Sequence, residues 1–215
     1  MALKNEAEAM AQLCVHLRSV WRHYEILFEE GEPRRTLLHR IAPVFFGDLN
    51  QLLIEQLMLQ ICRLTDPPVT SGRTNLTIDN IIGQSDFSGA PEDQARIKTL
   101  RDSIDRFRSK IVPARNRLIG HLDRDAVMAG EPLGVVSEAE WKQFWSDLEQ
   151  LLRLVHTRYV DPNGHFILND IGIISDADLL VKALKESTYF HHALDDHTIT
   201  QRMADIAFNG EFANA

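Results

Sequence analysis

Apolar residues recur at every third or fourth position along four long stretches of this chain, a spacing that dictates packed helices. Met10, Leu13, Leu17, Val20, Tyr24 and Leu27 mark the first stretch. Leu38, Ile41, Phe45, Leu49, Leu52, Ile61 and Leu64 mark the second. Ile97, Leu100, Ile104, Phe107 and Ile111 form the third, and Trp141, Phe144, Leu148, Leu151, Val155 and Tyr159 the fourth. Steps of three then four suit antiparallel helices crossing at small angles. The predicted fold is all-α: an antiparallel bundle of four main helices with short helices between them.

Breaker residues place the boundaries. Gly31 and Pro33 separate the first helix from the second, and Pro43 starts or kinks a helix within the second stretch. Thr65-Asp66-Pro67-Pro68 stops that stretch. Residues 67–90 read as a loop holding one short helix near Thr77 to Ile82. Pro91 followed by Glu92 and Asp93 opens the third helix, and Pro113 breaks or bends it near its end. Ser137 with Glu140 forms a capping box for the fourth. These helices make a bundle over residues 1–160, with 161–215 as a small C-terminal extension. Asp161-Pro162-Asn163-Gly164 is a turn, and the Ile- and Phe-rich run 165–174 suits a short hairpin. Ser175 and Asp176 cap a helix through about Glu186, and 189–215 reads as a further short helix and a loose tail.

At 215 residues the chain suits one well-buried domain with an appendage. No apolar run approaches the roughly 20 residues of a membrane span. The Lys-, Glu- and Ala-rich start lacks the apolar core of a signal peptide, and the chain reads as cytoplasmic. Cys14 and Cys62 sit among apolar helical neighbours and read as small core residues.

Net charge is −8, which by itself argues against nucleic acid. Its distribution reverses that argument. Between Arg96 and Arg124 stand nine basic and three acidic residues, a local charge of +6, leaving −14 elsewhere. A basic stretch in an acidic body is either a solvated helix face or a phosphate-binding element.

Residues 115–124 read Arg-Asn-Arg-Leu-Ile-Gly-His-Leu-Asp-Arg. An Arg and a His with four to six residues between them also occur at Arg18–His23, Arg34–His39 and Arg158–His165, so bare spacing does not single out a site. The surroundings do. Arg115, Asn116, Arg117, Gly120, His121 and Asp123 together resemble the extended motif of the HEPN superfamily, helical proteins many of which are metal-independent ribonucleases. Upstream, Arg63-Leu64-Thr65-Asp66-Pro67 followed by Asn75-Leu76-Thr77-Ile78 resembles the AbiU-like branch of that superfamily. The resemblance covers roughly residues 10–160. It departs at Pro113, where an unbroken helix is the norm, and at Gly120, where Ala is commoner.

The resemblance implies RNA as substrate, an abortive-infection or toxin-antitoxin role, a homodimer with paired motifs facing one cleft, an antitoxin protein as a further partner, and no metal or other cofactor. It assigns His121 to proton transfer or leaving-group contact and Arg115 to phosphate charge, with Asn116 orienting one or the other. The residue types suit that chemistry. Imidazole has an unperturbed pKa of about 6.5, and the guanidinium fork stays charged on phosphate oxygens. Arg117 and Arg124 are further phosphate candidates, and Asp123 orients a neighbouring side chain. On a straight helix Arg115 and His121 stand about 120° apart, whereas Arg117 and His121 share a face. A long side-chain reach, a bent helix or a second subunit would reconcile them. Arg63 and Asp66 read as a helix-end ion pair that fixes the following loop.

Three other readings compete. The motif would serve a non-catalytic module that binds nucleic acid or a partner protein. His191, His192, Asp195, Asp196 and His197 would serve a metal-dependent enzyme, although they match no ligand motif. A purely structural helical dimer would need none of these side chains. No Gly-rich phosphate loop, Cys-pair zinc motif or Ser-His-Asp signature is present.

Overall fold

A computed structural model describes residues 2–121, 123–130, 133–164, 166–168, 176–195, 198 and 200. Four long helices build the bundle: α1 (Ala2–Tyr24), α3 (Pro43–Leu64), α5 (Pro91–Ala114) and α7 (Glu138–Tyr159). Shorter ones lie between and after them: α2 (Glu32–Ile41), α4 (Ile78–Gln84), α6 (Arg124–Ala129) and α8 (Asp176–Asp195). The all-α architecture expected from the apolar spacing is the one observed.

The second apolar stretch is two helices. Pro43 occupies the first turn of α3, where its missing N–H costs nothing, and Ala42 before it is forced out of helical geometry (φ −152°, ψ 74°). Ser137 and Glu140 form the full reciprocal capping box at α7. α1 closes in a π-helical turn, Glu25–Glu29.

The main core lies where the four long helices meet. Met10, Cys14 and Leu17 of α1, Leu57 and Ile61 of α3, Ile104, Phe107 and Ile111 of α5, and Phe144, Leu148 and Leu151 of α7 are all buried within it. Trp21 stacks on Trp141 with ring centroids 4.3 Å apart, and Phe107 on Phe144 at 4.4 Å. Both cysteines are buried in this core, and burial pushes the Cys14 thiol up to about 12. A second cluster joins Ile26, Leu27 and Phe28 of the π-helical turn to Leu38, Phe46, Ala177 and Val181. α8 thus packs against α2 and the π-helical turn, and it runs to Asp195, beyond the expected end near Glu186. The hairpin expected over 165–174 falls outside the described residues apart from 166–168.

A hairpin does form elsewhere. Within the region expected to hold only a loop and a short helix, β1 (Val69–Thr70) pairs antiparallel with β2 (Arg73–Thr74). Its two-residue tip, Ser71-Gly72, takes positive φ at both positions (50° and 77°), the geometry that matches strand twist. α4 follows, capped by Thr77, whose hydroxyl accepts from the Asn80 amide at 3.2 Å.

Gly134 fixes the segment before α7 against the end of α5. Its φ is +74°, and a Cβ there would stand 2.8 Å from Ala114 Cβ and 3.1 Å from Met58 Cε. Gly134→Ala should therefore cost about 1–3 kcal/mol, from a left-handed backbone and an overpacked contact together. Urea unfolding measures it; an unchanged midpoint would mean that the segment moves away freely.

Candidate functional site

α5 carries Arg101 and Arg108, and Arg115 follows its last residue at the same seven-residue interval, so the three fall close to one line. Each meets an acid. Arg101 donates to both carboxylate oxygens of Asp79, at 2.6 and 2.8 Å. Arg108 Nη2 donates to Asp66 Oδ1 at 3.0 Å, and Arg115 Nη2 lies 3.6 Å from Asp66 Oδ2. Asp66 thus bridges two guanidiniums.

Local sequence puts Asp66 there. Thr65 ends α3 by turning its hydroxyl back onto the Ile61 carbonyl at 2.8 Å. Pro67 then bars Asp66 from helical geometry. The expected Arg63–Asp66 ion pair does not form. Arg63 is exposed and makes no hydrogen bond or ion pair among the described residues, because Asp66 is turned to α5 instead.

Pro113 neither breaks nor ends α5, which runs on to Ala114. The change comes one residue later. Arg115–Ile119 form a π-helical turn, with the Gly120 amide donating to the Arg115 carbonyl at 2.7 Å, five residues back. A Cβ on Gly120 would stand 3.0 Å from that carbonyl oxygen, so a residue without one closes the turn with least crowding. π-helical turns often mark functional sites. The helical run stops at Ile119, so the shared face expected for Arg117 and His121 is not built.

The motif side chains divide into groups. Arg115 Nη1 donates to Asn116 Oδ1 at 2.8 Å while Nη2 faces Asp66. Arg117 Nη2 donates to Asp123 Oδ1 at 3.2 Å, and the Asp123 amide returns to the Arg117 carbonyl at 2.9 Å. Arg124 is exposed and pairs with Asp125. His121 is exposed, and among the described residues it makes no hydrogen bond or ion pair, with Arg115 or any other group.

Asp123 also caps α6, accepting from the Ala126 amide at 2.8 Å. That amide first, and Arg117 second, hold its carboxyl below the ordinary range. A carboxyl depressed by folding stabilises above the unfolded pKa, and that contribution is lost as pH falls through the lower folded value. The Asp123 cap and its hold on Arg117 should therefore outlast the ordinary carboxylate midpoint of about 3.9. An NMR titration should place Asp123 below that value, with the Ala126 amide shift following it; a midpoint at or above it would contradict the cap.

The basic stretch is mostly neutralised within the molecule. Besides these pairs, Arg96 donates to Gln150 and Lys110 pairs with Glu140. Among the described residues, Lys98 and Arg106 alone in the stretch make no such contact. Two other Arg residues with a His at motif spacing have structural employment. Arg34 donates to the Ile26 carbonyl at 2.7 Å and pairs with Glu30, and Arg18 lies over the Trp145 ring. Of the rival metal set, His191, His192 and Asp195 lie in α8, while Asp196 and His197 fall outside the described residues.

Sequence reasoning missed Arg108 as a partner in the site. Its seven-residue interval from Arg115 was the available signal. The family model of AbiU2, a HEPN-domain family, matches residues 2–175. No curated protein and no solved structure shows a match to the chain.

Proposed function

The chain belongs to the AbiU2 family of HEPN domains, and from that premise we propose that it is a metal-independent endoribonuclease acting in abortive infection or as the toxin of a toxin-antitoxin pair. The observation that carries the reading is the meeting of the two motif regions: Asp66, from the end of α3, with Arg115, at the start of the π-helical turn. The family match spans both segments, and the ion pair supports reading them as one site.

In the proposed reaction a ribose 2'-hydroxyl loses its proton and attacks the adjacent phosphorus. The 5'-oxygen of the next nucleotide leaves and takes up a proton, and a 2',3'-cyclic phosphate remains. His121 is exposed and unengaged, and it transfers the proton at one of these steps. Arg115, steadied by Asn116 and Asp66, neutralises charge on the phosphorane oxygens. Arg117 and Arg124 hold flanking phosphates, with Asp123 fixing Arg117.

Among the described residues no hydrogen bond or ion pair joins His121 to Arg115, and this favours a site completed by a second copy. Val44, Phe45 and Leu52 of α3 are 75%, 60% and 62% exposed, apolar side chains open to a homodimer contact. No helix among the described residues is long and apolar enough to cross a membrane.

The test is incubation of the purified protein with single-stranded RNA in excess EDTA. Cleavage leaving 2',3'-cyclic phosphate ends is expected. Cleavage only on adding metal, or ends of another kind, would overturn the mechanism. The internal pairing of most cations in the basic stretch favours a second reading, a non-catalytic binding module. RNA binding with no cleavage by the wild-type protein would select it.

A further inference from the structure

Next to Asp66, a cleft of about 570 Å³ opens between α1, α3 and the β1–β2 hairpin. Its size falls in the roughly 300–1,000 Å³ range of small-ligand sites. Leu17 and Leu64 contribute buried apolar floor. Gln56, Gln60 and Arg63 stand at i, i+4 and i+7 on α3 and so line one wall together. His16 of α1 and Thr74 of β2 face them across the opening.

Among the described residues, the basic side chains of this cleft are unengaged. Most cations in the 96–124 stretch are paired, yet Arg63 and His16 make no hydrogen bond or ion pair among the described residues. Asp66 is the acidic residue of the lining, and Arg108 and Arg115 already occupy its two oxygens. The lining therefore offers positive charge, neutral amides and a hydroxyl over an apolar floor. That combination suits a phosphate with a base attached.

We propose that the cleft between α1, α3 and the hairpin holds one nucleotide of single-stranded RNA beside the cleaved linkage, its phosphate on Arg63 and His16 and its base among Gln56, Gln60 and Thr74. The proposal rests on the ribonuclease reading for the identity of the polymer. Asp66 connects the two places, since it lines the cleft and faces Arg115. Arg63 and His16 then select and retain substrate rather than transfer protons.

The test uses a fluorescein-labelled oligonucleotide carrying 2'-fluoro groups throughout, which this chemistry cannot cut. Binding is followed by fluorescence anisotropy for wild type, Arg63→Ala, His16→Ala and Lys98→Ala. All three side chains are exposed and unpaired among the described residues, so their removal leaves packing intact. Arg63→Ala should weaken binding about tenfold or more, the effect of losing one charge-assisted contact. His16→Ala should weaken it several-fold, and Lys98→Ala by less than about twofold. Equal binding by Arg63→Ala and wild type would overturn the proposal. So would equal losses in Arg63→Ala and Lys98→Ala, which indicate diffuse charge, or no binding by wild type. With cleavable RNA, Arg63→Ala should raise KM and leave kcat unchanged; a fall in kcat alone would make Arg63 catalytic and refute a binding subsite. Arg63-dependent binding by a wild-type protein that cuts no RNA would sink the ribonuclease reading and leave the cleft standing.

Discussion

Replacing His121 by Ala should lower the rate of RNA cleavage about 10²- to 10⁴-fold, the span of a lost general acid or base, while leaving RNA binding and stability unchanged. The side chain is exposed and makes no hydrogen bond or ion pair among the described residues, so its removal breaks none of the bonds that hold the fold. Arg115→Ala should lose cleavage on a similar scale, because the phosphorane keeps its charge without a fixed guanidinium. It should also lower stability slightly, since Asp66 then retains only Arg108. The pair separates one-protomer from two-protomer sites. If His121 of one copy acts with Arg115 of the other, mixing and re-associating the two single variants restores roughly a quarter of the wild-type sites, because half the dimers are mixed and each carries one intact set. No recovery with a fully exchanged dimer would place the site within one chain. Undiminished cleavage by His121→Ala would remove the ribonuclease mechanism altogether.

Helix positions were legible in the sequence because their causes are local. The three-four spacing, Pro43, Pro91 and the Ser137–Glu140 box each act within a turn or two. The β1–β2 hairpin was missed because two-residue strands leave almost no periodicity, and only the Ser71-Gly72 tip hints at them. α8 ran past its expected end near Glu186, and Ala193 in its last turn is buried, a tertiary contact that no local pattern announces. The candidate site was legible as two segments but not as one place. A straight α-helix would set Arg115 and His121 about 120° apart, but the Gly120–Arg115 bond makes a π-helical turn instead. Arg63 and Asp66 looked like partners because they are neighbours in sequence. Pro67 and the Thr65 back-bond turn Asp66 toward α5, and only three dimensions show the longer-range pair winning.

Asp66→Ala should cost about 1–2 kcal/mol of stability and lower cleavage about 10- to 100-fold. The carboxylate holds Arg108 and Arg115, all three side chains being between a quarter and about a third exposed. Hydrogen bonds to charged groups contribute about 1.5–3 kcal/mol when dry, and partial solvent screening lowers that figure here. The effect on rate has a separate cause. Without Asp66 the two guanidiniums repel each other, Arg108 loses the partner of its Nη2 while its buried Nε already has none, and Arg115 is left with Asn116 alone. A guanidinium displaced by about 1 Å meets the phosphate poorly, and such a shift suffices for the expected loss. Asp66→Asn tests whether position or charge matters. Its amide oxygen still accepts from one guanidinium, so a positioning role predicts substantial recovery of kcat with little recovery of stability. Urea unfolding and single-turnover cleavage read the two quantities apart. If Asp66→Ala unfolds more easily yet cleaves at the wild-type rate, Asp66 merely fastens the end of α3 to α5, and Arg115 needs no help to reach its phosphate.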